Sequence, residues 1–261
     1  MLHLLKIEWM KVKNYRTFWV LLALYLISIY GITYIAYRIQ TATPKKNDMA
    51  NALFGNPFEF PDVWQTVTYL CSFLLFIPGL LMIISFTNEY SFKTHRQNII
   101  DGWSRKQFIA VKMMLTIILA LISTIAVFIT AAAFGLYESG EFSFDKVEYV
   151  SYFFVQALSY SAVALLFSLL FKRAAIAVGV FFLYVTVLEN MLAGLLNHYV
   201  NKSGRFLPLE ATDNLIPFPF VKAVSGQFLT RTDPMLLLGI AAAYLAVYCF
   251  ICLRKFQTDD L

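Results

Sequence analysis

Glu89 to Lys112 read EYSFKTHRQNIIDGWSRKQFIAVK, the longest strongly polar, basic segment lying between two apolar runs of the chain. Lys93, Arg96, Arg105, Lys106 and Lys112 stand there against only Glu89 and Asp101. Ser104 followed by Gln107 is a capping box, so a helix is expected to start at Arg105. Trp103 and Phe108 take the two positions of a hydrophobic staple around that cap. Asp101-Gly102 is a turn signal, and Gly102 can end a preceding helix. Thr94–Ile100 has room for about two turns of that helix. The pattern predicts a short helix across a membrane surface, a sharp turn, then a long helix that begins outside the bilayer. A loop that only set topology would need charge alone, so the density of turn chemistry favours a docking element.

Outward from this stretch the chain is mostly apolar, with 59% hydrophobic and only 14% charged residues, which excludes an ordinary soluble domain. Uncharged runs occupy 17–37, 63–88, 113–137, 149–171, 174–197 (interrupted by Glu189) and 234–253. Each is long enough to cross a bilayer, which takes about 20 helical residues. The expected fold class is an all-α integral membrane protein with six transmembrane helices at about 17–37, 66–88, 106–137, 149–171, 174–197 and 234–253. Residues 89–105 then form a coupling loop, and 1–16 an amphipathic interfacial helix, with Leu2, Leu5, Trp9 and Val12 at helical spacing beside lysines. A plain positively charged flank explains 1–16 nearly as well. Trp19 and Trp64 are placed as aromatic belts at span ends. Pro78-Gly79 should bend the second span, as a structural kink or a hinge.

The positive-inside rule orients the bundle. With both termini cytoplasmic, 13 Lys/Arg and five acids fall inside, against eight Lys/Arg and ten acids outside. The net charge of +5 sits beside apolar runs, so a lipid surface, not nucleic acid, is its expected partner. Outside, 38–62 is polar and interrupted by Pro44, Pro57 and Pro61, and 138–148 is short and acidic. The segment 198–233 contains LPLEATDNLIPFPF, too apolar for a free loop, and is expected to dip into the outer interface or fold over the bundle as short helices. Asn201-Lys202-Ser203 matches a glycosylation sequon.

Glu189 is the one acid well inside a span, with Asn190 beside it. A buried ionisable group there should face a cavity, a partner or the bundle interior. It is read equally as a translocation-path, cation or proton-coupling residue and as a packing residue. Cys71, Cys249 and Cys252 all lie in apolar runs, so neither a disulfide framework nor a redox pair at Cys249-Phe-Ile-Cys252 is expected. His3, His95 and His198 are too dispersed for a metal site. Ser104 lacks the rest of a nucleophile elbow, so no catalytic residues are expected and the chain is read as a non-enzyme.

Glu89, Thr94, Arg96, Ser104, Arg105 and Lys112, in order between the second and third spans, resemble the first cytoplasmic loop of ABC-2 type permeases, the six-span membrane subunits of ABC exporters. Lys93, where glycine is common, and Gly102-Trp103, where proline is common, depart from the pattern. The resemblance extends over the whole chain and implies a half-transporter that pairs with a second permease chain. It further implies two separate cytosolic ATPase subunits that bind ATP and Mg²⁺, because this chain has no G-x-x-x-x-G-K-[ST] loop. Glu89, Lys93, Thr94, Arg96, Asn98, Asp101 and Arg105 are then the expected coupling residues, in a plasma or bacterial inner membrane. The cargo expected is a peptide, lipid or hydrophobic compound. An ATP-independent secondary transporter or channel using Glu189 is the alternative, and the lack of an inverted repeat weighs against it.

Overall fold

The computed structural model describes residues 2–42, 56–200, 203–219 and 232–258, with side chains from Lys6 onward. The sequon residues Asn201 and Lys202, Pro44, and the side chains of His3, Leu2 and Leu5 lie outside the described part. Among the described residues every regular element is helical. Helix α1 (Leu2–Lys13) leads through a two-residue break into α2 (Arg16–Ala42). Helices α3 (Asp62–Ser72) and α4 (Phe76–Ser91) form one bent unit, with 46° between them. The short α5 (Thr94–Ile100), the 35-residue α6 (Arg105–Ser139) and α7 (Glu148–Phe171) follow. Helix α8 (Ala174–Leu183) runs through a π-helical turn, Tyr184–Leu188, into α9 (Glu189–Tyr199). A 3₁₀ turn (Ser203–Phe206), α10 (Glu210–Asp213) and α11 (Pro234–Thr258) complete the described chain. Five of these helical runs are each long and apolar enough to span a bilayer, and the bent pair makes six.

Helix α7 is the core, packed against α4, α6, α8 and α11. Ala157, Ser161, Ala164 and Ser168 recur along one buried stripe of it. Small residues let helices approach closely in lipid, where apolar transfer alone gives no drive to associate. Gly79 of α4 sits at that approach: a Cβ there would meet Cζ of Phe181 at 2.4 Å and Cβ of Ala164 at 3.4 Å. Gly79 is thus a packing contact against α8. The bend expected at Pro78-Gly79 falls instead at Phe73–Leu75. Pro78 has no N–H to return to the carbonyl of Leu74, and its ring crowds that carbonyl, so the helix breaks ahead of it.

Trp64 also differs from its expected place in an aromatic belt. It is fully buried, stacked on Phe128 with centroids 5.1 Å apart. Its Nε1–H donates to the carbonyl of Ser143 at 3.0 Å, so the indole's polar edge is satisfied by the α6–α7 connection, not by water. Trp19, 39% exposed, stays on the surface and packs edge-on against Trp9. At the end of the bundle where Trp64 lies, Tyr37 donates to Glu138 at 2.9 Å and Lys146 pairs with Asp62 at 2.6 Å. The prolines around Leu209–Pro217 bring α10 against α7 and α11, with Leu209, Ala211, Leu215 and Ile216 buried.

Candidate functional site at the elbow

The elbow from Glu89 to Lys112 is built by local signals. Lys93 adopts a left-handed conformation (φ 57°) that ends α4 and turns the chain into α5. Gly102 (φ 96°) then closes α5 in a Schellman motif: its N–H donates to Ile99 at 3.1 Å, and the Trp103 N–H donates to Asn98 at 3.0 Å. Two residues later the capping box is complete. Ser104 Oγ accepts from the Gln107 N–H at 3.2 Å, and Gln107 Oε1 accepts from the Ser104 N–H at 2.9 Å.

The expected coupling residues separate into two groups. Lys93, Arg96 and Asp101 are exposed, with Gln97 and Ile100 on the same outer surface. Gln97 Nε2 donates to Asp101 at 3.0 Å. Thr94 is half-buried. Glu89 and Asn98 turn inward, at 5% and 7% exposure. Arg105 bends back to the last helix, donating to the carbonyl of Gln257 at 2.6 Å and so capping the C-terminal turn of α11. Asp101, Arg96 and Lys93 can meet a partner directly; Glu89 and Arg105 hold the elbow on the bundle, and the buried Asn98 lends its main-chain carbonyl to the Gly102 turn.

Glu89 reaches Lys112 in a buried cluster that the sequence reading missed. Lys112, fully buried on α6, donates to Glu89 and, at 2.5 Å, to Glu8 of α1. Lys11 donates to Glu8 at 2.8 Å and to Glu89 at 3.1 Å. Two lysines and two glutamates thus tie α1, α4 and α6 together with no net charge. Burial works against ionisation of Glu8, but the ammonium groups of Lys112 and Lys11 outweigh it and hold the carboxyl below its ordinary 4.5. A signal was available: Glu8 is the lone acid in the basic segment 1–16, three residues before Lys11. A second missed contact stacks the His95 ring on Tyr90 (4.3 Å), with Lys172 over the same ring and His95 Nδ1 2.9 Å from the Glu89 carbonyl oxygen. This fixes α5 against α4 and the α7–α8 connection.

Glu189 and Asn190, neighbours in sequence, part company in space. Glu189 is buried at 3% exposure and its Oε1 accepts the main-chain N–H groups of Leu209 and Glu210, at 2.5 and 3.1 Å. It therefore caps the start of α10 from another helix. Asn190 is exposed and donates to the carbonyls of Val185 and Thr186, both within the π-helical turn just before it. Among the described residues no group of three or more His, Cys, Asp or Glu side chains could hold a metal ion. Cys71, Cys249 and Cys252 are free thiols.

A multi-helix bundle of this length and apolarity, with a short helix strapped beneath its second and third spans, defines an integral membrane protein. A family profile described as ABC-2 family transporter protein matches residues 4–188, from α1 through the π-helical turn. The chain belongs to the ABC-2 transporter family. Members of this family are generally non-catalytic membrane subunits that function with ATPase partners. No curated protein matches the chain.

Proposed function

We propose that the chain is the permease subunit of an ABC exporter, energised by two separate cytosolic ATPase subunits and completed by a second permease chain. The observation that carries this reading is the elbow. Its exposed face, Lys93, Arg96, Gln97, Ile100 and Asp101, offers a partner both charge and an apolar contact. Its inner face is fastened to α1, α4, α6 and α11 by the ion cluster, the Arg105 cap and the buried rings. A push on α5 therefore moves several spans as one body, which is how a packed bundle converts a contact into a rigid-body change. The distribution of Lys/Arg supports a cytoplasmic elbow and cytoplasmic termini in a plasma or bacterial inner membrane. ATP and Mg²⁺ belong to the partner subunits in this scheme. A peptide, lipid or other hydrophobic compound is the cargo class that suits so apolar a bundle.

Glu189 supports this reading over ion-coupled transport, because its Oε1 already caps α10 through two main-chain N–H groups. The test is co-purification of the intact chain in mild detergent with its stoichiometric partners identified. An ATPase should accompany the native chain and be depleted by Arg96→Glu. An ATPase retained in full by that variant removes the elbow from the docking surface.

A further inference from the structure

Beyond α9 the chain folds over the bundle as α10, and other helices hold both ends of that short element. Glu189 caps its start through the N–H groups of Leu209 and Glu210. At its end Asp213 meets α7: Oδ1 accepts from Gln156 Nε2 at 2.8 Å, and the Tyr160 hydroxyl lies 3.2 and 3.1 Å from the two carboxyl oxygens. Gln156 is 2% exposed, and its Oε1 is closed to solvent without a hydrogen-bond partner. A buried amide oxygen lacking a donor is costly. No solute can reach it, so its donor has to come from a group already packed beside it. The Asp213 carboxylate offers only acceptors, whereas the neutral acid gains one O–H. A carboxylic acid and a primary amide then pair twice, amide N–H to acid carbonyl and acid O–H to amide oxygen.

We propose that Asp213 is a proton site whose neutral form latches α10 to α7 by donating to Gln156 Oε1, while its carboxylate form holds the helix less firmly. Asp213 is half-buried, so its proton can exchange with water at this end of the bundle. Burial pushes its carboxyl up to about 7 against the donors on Gln156 and Tyr160, and the neighbouring Glu210 and Glu189 push the same way. Tyr69 of α3 also faces it. From α11, Tyr244 donates to the carbonyl of Phe206 and Tyr248 stands near Glu189; from the 3₁₀ turn, Arg205 donates to Thr232. A released α10 would return Asp213 to its ordinary 3.8. Docking therefore takes up a proton: it weakens as pH rises towards about 7 and tightens as pH falls below it. In the orientation favoured by the Lys/Arg distribution, acid outside the membrane would hold this cover more firmly.

The experiment follows hydrogen–deuterium exchange of the full chain in lipid nanodiscs from pH 5 to pH 8, corrected for intrinsic chemical exchange. The N–H groups of 211–216 should open about tenfold more often per pH unit up to about 7 and level off above it. Asp213→Asn, a neutral group with a donor for Gln156 Oε1, should stay protected throughout, and Glu210→Gln should retain the pH dependence. Infrared spectroscopy reads the proton directly: an acid carbonyl band should titrate through about 7 in the native chain and be missing from Asp213→Asn. Tyr160→Phe, which removes a donor that favours the carboxylate, should move that midpoint upward. Protection independent of pH in the native chain, pH dependence that survives in Asp213→Asn, or a native chain with no such infrared band would each overturn the proposal.

Discussion

Phe108 on the first turn of α6 lies flat against Phe256 near the end of α11, with ring centroids 4.7 Å apart and planes within 11° of parallel. Both rings are buried, and Arg105 one turn earlier reaches the main chain beside Phe256. The elbow is thus joined to the last helix of the chain. Phe256→Ala should cost about 3–5 kcal/mol through the cavity it leaves, and Phe256→Leu less than that. Thermal unfolding of the purified chain in detergent reads the difference; an alanine variant as stable as the native chain would mean the stack contributes nothing.

Lys112 is the only cation of the cluster with no exposure. Its removal as Lys112→Met leaves the buried carboxylates of Glu8 and Glu89 sharing Lys11 as the one remaining cation of the cluster, and breaking a buried ion pair from one side costs about 3–5 kcal/mol. Neutralising Glu8 and Glu89 to glutamine in the same chain should recover much of that loss. A triple variant no more stable than Lys112→Met would assign the defect to packing, not to charge.

The pH dependence has a definite sign. Because the Glu8 carboxyl is held below its ordinary 4.5, its ion pairs stabilise the fold above that pH, and this contribution is lost as pH falls through the lower native value. Unfolding followed from neutral pH down to about 3 should show the steepening loss below 4.5, and Glu8→Gln should flatten it. Equal acid sensitivity in the variant would place the effect elsewhere.

Gly79→Ala should press a methyl group into the Phe181 ring and cost about 1–3 kcal/mol by overpacking. Phe181→Leu in the same chain removes the ring atoms that a Cβ would strike. The double variant should therefore be more stable than Gly79→Ala alone. Two losses that simply add would show that the α4–α8 approach is not what requires glycine.

Glu189→Gln keeps a side-chain oxygen that can accept from Leu209 and Glu210, whereas Glu189→Leu does not. Cargo efflux from cells or loaded vesicles should survive the first change and fall with the second. Efflux abolished by Glu189→Gln alone would restore a proton- or cation-coupling role.

The parts legible in sequence are those written within a few residues. The Ser104/Gln107 cap and the Gly102 turn depend on main-chain groups three to five positions away, so residue type and spacing reveal them. The apolar runs announce spanning helices in the same local way. Contacts closed across the fold carry no such mark. Glu8 meets Lys112 only because α1 folds back beside α6, and Glu189 finds its donors in Leu209 and Glu210 beyond the intervening turn. Trp64 reads as a belt residue from its place near a span end, and what buries it is packing against Phe128, with a carbonyl in a connection far along the chain taking its N–H. The bend near Pro78 is legible at short range as well: the missing N–H and the ring crowding of the Leu74 carbonyl put the break on the N-terminal side of the proline, at Phe73–Leu75.

The length of α6 would let a small movement at the elbow become a larger one across the membrane. Thirty-five residues of helix extend about 52 Å, against a hydrocarbon core of about 30 Å. The surplus makes α6 a lever with one arm in the bilayer and a shorter one projecting at the elbow. The Lys112 cluster sits near that fulcrum, and the Trp64–Ser143 and Tyr37–Glu138 ties join the opposite end to α3 and α2. A modest tilt imposed at Arg105 would arrive at the far face as a displacement of several ångströms, carrying the ends of α2 and α3 with it.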